Sequence, residues 1–175
     1  MDELSFRDHN FITLSDALDI AEDVTGNHYK FSITQWKKHR YDIKTRLSLK
    51  TNEISKHAFA LLNKGSSPVS GFEPKTKNRD CYFICLQDHR ILKALERDRE
   101  LGLLPLLIYI FTHELVHIVR FCSFLQRFDA SGKEKDREEA VVHSTTFEIL
   151  EDLNLPKLDY VLDVYQGHRL FEIAV

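Results

Sequence analysis

The sequence predicts an α+β domain in which a short mixed sheet and several helices surround one central helix. Three observations carry this. The chain has 175 residues, 43% of them hydrophobic, with twelve Phe and six Tyr, which is enough for one packed core. Residues 103–128 are apolar on nearly every side, as expected of a helix running through the middle of a fold. Residues 81–86 form an apolar run suited to a buried strand.

The elements follow in order. Ser15 and Asp16 start a helix with Leu18, Ile20, Ala21 and Val24 on its inner face, ending at Gly26. Tyr29, Phe31 and Ile33 alternate with polar neighbours and predict a short strand. Residues 36–49 fit helix and strand equally. Thr51 is an N-cap for a helix through Ile54, His57, Ala58, Leu61 and Leu62. Residues 65–80, rich in Gly, Pro, Ser and Lys, predict a flexible loop. That loop separates an N-terminal part (1–64) from the part that carries the chemistry (81–175). With no repeat or second core signal, 1–175 is read as one domain.

After the strand at 81–86, Asp88 begins a helix through Ile91, Leu92 and Leu95 to about Arg99. Pro105 is acceptable in the first turn of the central helix, where its missing N–H has no partner to lose. Residues 129–133 turn the chain into a second amphipathic helix, 134–153, stopped by Asn154 and Pro156. The tail from Tyr160 is read as a short helix or strand with a turn at Gly167.

Charge and cysteine usage narrow the function classes. A net charge of −3 and a pI near 6.3 give no field that would draw nucleic acid or an anionic membrane. Cys81, Cys85 and Cys122 are too few and too odd in number for a disulfide framework. Four residues apart on a strand, Cys81 and Cys85 lie roughly 13 Å apart, beyond disulfide reach. Residues 1–10 are polar and charged rather than signal-like, and the longest apolar run, 101–111, is shorter than the about 20 residues a spanning helix needs. The expectation is a soluble, cytoplasmic protein without nucleic-acid or membrane partners.

The chemistry concentrates in His113-Glu114-Leu115-Val116-His117. Residues four apart on a helix stand one above the other, so both imidazoles can face a single ion. Zinc accepts neutral imidazole and imposes no d-electron geometry. Glu114 lies about 100° round the helix from His113, beside the site, where it can act as general base on a metal-activated water. The plainer alternative is two core histidines with a glutamate between them. It requires three polar groups to be desolvated in an oily helix with no shared partner.

With its uncharged flanks Ile110, Phe111, Leu115, Val116, Ile118 and Val119, the motif resembles the HExxH helix of zincin metallopeptidases. Arg120 and Ser123 stand where the metzincin subclass has Gly and His, which excludes that subclass. In gluzincins the third ligand is a Glu on a following helix. Glu139, 22 residues after His117 and followed by Ala140, is similar to that element. His143 stands where thermolysin-like enzymes have Asp, so the resemblance leaves two ligand sets open: His113 and His117 with Glu139, or with His143. Glu138 is a further candidate.

The resemblance implies a Zn2+-dependent hydrolase acting on a peptide or protein, with Glu114 as base and a His or Tyr near the C-terminus stabilising the oxyanion. His168, Tyr165 and Tyr160 are the candidates, His168 foremost. Peptide deformylases add an upstream Cys ligand, but the glycine-flanked sequence around it is absent here, and Cys81 and Cys85 read as core. A non-catalytic zinc-binding regulatory module is the alternative, and a closed four-ligand site holding both Glu139 and His143 would mark it.

Overall fold

The computed structural model describes residues 4–67, 79–123, 125, 127–165 and 171–173. Its order is α1 (Asp8–Tyr29), α2 (Ile33–Lys38), β1 (Tyr41–Lys44), β2 (Ala60–Ser67), β3 (Arg79–Leu86), α3 (Asp88–Arg97), α4 (Leu103–Cys122), α5 (Lys133–Leu150), α6 (Leu158–Tyr165) and β4 (Phe171–Ile173). Single 3-10 turns at Arg46–Ser48 and Thr51–Glu53 lie between β1 and β2. The four strands form a mixed sheet in the order β1-β3-β2-β4, with β2 antiparallel to β3 and both outer strands parallel to their neighbours. The domain is α+β, as the sequence predicts.

Helix α4 is the axis of the molecule. Every residue from Pro105 to Val119 is buried. Its length and composition would suit a membrane crossing, but 83% of its most apolar window is enclosed by the rest of the fold. α1 lies along it, α5 and α6 pack against it, and the sheet closes the remaining side. β3 alternates strictly. Tyr82, Ile84 and Leu86 join the helical core, whereas Cys85 packs with Leu61 and Ala58 on the other face, against Leu49 and Phe83. β3 is therefore an internal strand. The edges are β1 and β4.

Several expectations are corrected. Tyr29, Phe31 and Ile33 are not a strand. α1 continues to Tyr29, Lys30 turns it in the left-handed region (φ 56°), and the Phe31 N–H donates to Gly26 O at 2.8 Å. Gly26 is thus inside the helix. A Cβ there would stand 3.1 Å from Phe31 O. Ser32 and Gln35 then form a reciprocal capping box that starts α2. The helix expected from Thr51 to Leu62 is a single 3-10 turn, and Leu61 and Leu62 belong to β2.

Of the loop expected at 65–80, residues 65–67 and 79–80 are strand, and 68–78 lie outside the described residues. α4 ends at Cys122 rather than 128, and α5 begins after Gly132, whose φ of +61° few other residues adopt. Gly167 lies outside the described residues.

Candidate metal centre

The last turns of α4 and the middle of α5 face each other across the core. On α4, Tyr109, His113, His117 and Phe121 recur every four residues and form one stripe. On α5, Glu139 and His143 repeat at the same spacing and face it. His113 Nε2 is 3.5 Å from Glu139 Oε2, and His117 Nε2 is 3.1 Å from Glu139 Oε1. The His113 ring lies 4.8 Å from that of His143 and 5.0 Å from that of His117, centroid to centroid. His113, Glu139 and His143 present ligand-type atoms all within 4.8 Å of one another.

These groups fit a zinc ion. Two ligand atoms at about 2.0–2.1 Å from a tetrahedral metal are about 3.3 Å apart, and the two imidazole–carboxylate separations bracket that value. His117 Nε2 and Glu139 Oε1 approach to 3.1 Å, yet neither makes a hydrogen bond among the described residues. The ligand-type atoms that all lie close to one another are those of His113, Glu139 and His143, and His117 joins them through Glu139 Oε1. Both oxygens of Glu114, wholly buried, also lack a hydrogen-bond partner among the described residues. Orphaned buried carboxylates are rare because their desolvation goes uncompensated.

The electrostatics follow from burial. Desolvation drives His113 down to about 3, against weaker opposing pulls that include Glu139, so the ring is neutral and its lone pair is available. Burial, reinforced by the Glu139 charge, pushes the Glu114 carboxyl well above its ordinary range. A divalent ion held by the neighbouring groups would oppose that rise and favour the carboxylate. Burial alone would raise Glu139 as well, but the facing His113 and His117 rings outweigh it and hold its carboxyl far below the usual range. Burial also lowers His143.

Of the residues the sequence nominates, His113, Glu114, His117, Glu139 and His143 come together. Glu138 does not. It is buried on a different side of α5 and paired with Arg120. Tyr160 is turned away, its hydroxyl donating to Asp98 Oδ2 at 2.7 Å. Tyr165 is near, stacked on Tyr109 with ring centroids 6.2 Å apart. His168 lies outside the described residues. Cys81 and Cys85 are buried free thiols in β3, and burial raises Cys85 to about 12, which suits a core residue.

The residue that motif reading misses is Tyr109. Its hydroxyl is 3.4 Å from His143 Nδ1 and donates to the Tyr165 carbonyl at 3.5 Å, so it ties α6 to the ring of His143. Its place four residues before His113 is the signal that would have found it. Open concavities beside the α5–α6 turn and against the first turn of α1 contain none of these groups. No known protein family, no curated protein and no solved structure matches the chain, so the meaning of this cluster rests on its own chemistry.

Proposed function

We propose that the chain is a zinc-dependent hydrolase of metallopeptidase type, cleaving a peptide or protein. One observation carries this. Two imidazoles one helical turn apart meet the two oxygens of a single carboxylate at 3.5 and 3.1 Å, with the unpartnered Glu114 carboxyl beside them. His113, His117 and Glu139 would hold the ion. His143, on the same face of α5 as Glu139, reaches the site as a fourth donor. When bound, zinc polarises a carbonyl and acidifies water to near neutrality.

The chain's own residues do the rest. His113 is kept neutral by burial and oriented by the packed helix. Glu114 takes a proton from the attacking water at a carboxylate oxygen and returns it to the leaving amine. Tyr109 steers the His143 ring through Nδ1. The buried surroundings of His113, Glu114 and His117 exclude bulk water and strengthen each of these interactions. A chain with three cysteines, two of them buried thiols in β3, fits a cytoplasmic setting.

The test is to load the purified chain with zinc and assay it on an unstructured peptide mixture, alongside Glu114→Gln. The expected result is one zinc per chain in both, with hydrolysis only in the unaltered protein. Equal turnover in the two would remove the base role.

The grouping of His143 with His113 and Glu139 favours a second reading, a closed regulatory zinc site. X-ray absorption separates the two. Three protein ligands plus a water oxygen support the hydrolase, and four protein ligands support the module.

A further inference from the structure

Two ligands stand on α4 and the third on α5, so the third reaches the site only if α5 is correctly rotated about its own axis. Neighbouring residues on a helix point about 100° apart. Glu138, adjacent to Glu139, is buried and engages Arg120 through both oxygens. Arg120 Nε pairs with Oε1, and Nη2 donates to Oε2 at 2.9 Å. Arg120 is three residues beyond His117 on α4, one turn from the imidazole stripe. The Arg120 charge also reaches Tyr29, the last residue of α1, and opposes the rise that burial gives its hydroxyl. The guanidinium therefore joins α4 to α5 beside the cluster.

A bidentate guanidinium–carboxylate pair fixes angle as well as distance, which apolar packing does not. The remaining buried α5 residues, Val142, Thr146 and Leu150, form a stripe that holds the helix down without specifying its rotation to the degree a ligand needs. Buried ion pairs are poor stabilisers compared with apolar pairs of the same volume, so the pair's distinctive contribution is register.

Building on the metal reading above, we propose that Arg120 and Glu138 are positioning residues: their pair sets the rotation of α5 that points Glu139 between the Nε2 atoms of His113 and His117.

The test is zinc affinity of the full chain by competition with a chromophoric chelator, with the melting temperature of the metal-free protein measured alongside. The variants are Glu138→Gln and the apolar pair R120M/E138L. Both should bind zinc about 10- to 100-fold more weakly, the range for losing a group that orients a ligand. The apolar pair should melt in its metal-free form no lower than the unaltered protein. A folded variant of either kind with affinity within about threefold of the unaltered protein overturns the proposal, and so does failure of both variants to fold, which would make the pair a stability element. If only the Gln variant fails to fold, the apolar pair decides. An unaltered chain that takes up no zinc instead sinks the metal reading itself, a result distinct from all of these.

Discussion

A carboxyl group removed from water without a partner loses several kcal/mol of solvation once it ionises. Glu114 is in that position, and two imidazoles share its surroundings. Evolved cores tolerate such a cluster when something arriving later compensates it. A divalent ion compensates all of it at once, and from this follow two residue-scale predictions. His113→Ala or His117→Ala should lose zinc by more than the about 100-fold ceiling typical of outer groups, because each removes a direct ligand; full zinc occupancy by metal analysis in both variants would refute the site. Glu139→Ala should weaken zinc far more than His143→Ala, since Glu139 faces both Nε2 atoms whereas His143 is turned partly toward Tyr109. The reverse order in a titration would make His143 the third ligand.

Among the elements, α4 and β3 were legible because each is apolar by itself. A helix buried on all sides and an internal strand carry their assignment in composition, whatever surrounds them. The region from Tyr29 to Leu62 was not legible, because its signals are borrowed. The alternation of Tyr29, Phe31 and Ile33 comes from a helix end in the left-handed region followed by a new helix start. Leu61 and Leu62 carry helical spacing with Ile54 and Ala58, yet it is pairing with β3 that decides their state. The site divides in the same way. His113, Glu114 and His117 are local in sequence, and Glu139 was reached through the resemblance to gluzincins, which place a ligand Glu on a following helix. The Tyr109–His143 contact and the Arg120–Glu138 pair exist only once helices pack.

Packing also sets two energies at this scale. Phe111 lies wholly buried in mid-α4, so Phe111→Ala should cost about 3–5 kcal/mol in chemical unfolding; a loss under about 1 kcal/mol would mean that α4 is not the packed axis. The turn joining β1 to β2 is held by Glu53, which accepts from Lys44 Nζ at 2.7 Å and the Lys50 N–H at 2.8 Å. Burial pushes its carboxyl up, but these hydrogen bonds outweigh burial and hold it below its ordinary value. A depressed folded-state value stabilises above the unfolded pKa of about 4.3 and is lost as pH falls through the folded value. Glu53→Gln should therefore flatten the acid limb of the stability profile. An unchanged limb would show that Glu53 is not a source of it.

At the scale of the whole molecule, zinc would join α5 to α4, the helix at the centre of the fold. α4 touches α1, α5, α6 and the sheet, so a crosslink between α4 and α5 is felt by the global unfolding transition rather than by one loop. Binding to the native state alone stabilises it by RT ln(1 + [L]/Kd), about 2.7 kcal/mol at a hundredfold excess over Kd. For a chain of this size each kcal/mol moves the melting temperature by about 2–4 °C, so chelator-stripped protein should melt about 5–11 °C below the zinc-loaded form. The surface exposed on unfolding is the same in both, so the urea midpoint should shift while the slope stays constant. His113→Ala should melt at one temperature with or without zinc. A zinc-dependent shift that survives in that variant would come from another site, and identical melting of stripped and loaded unaltered protein would leave the buried imidazoles and carboxylates without their compensating charge.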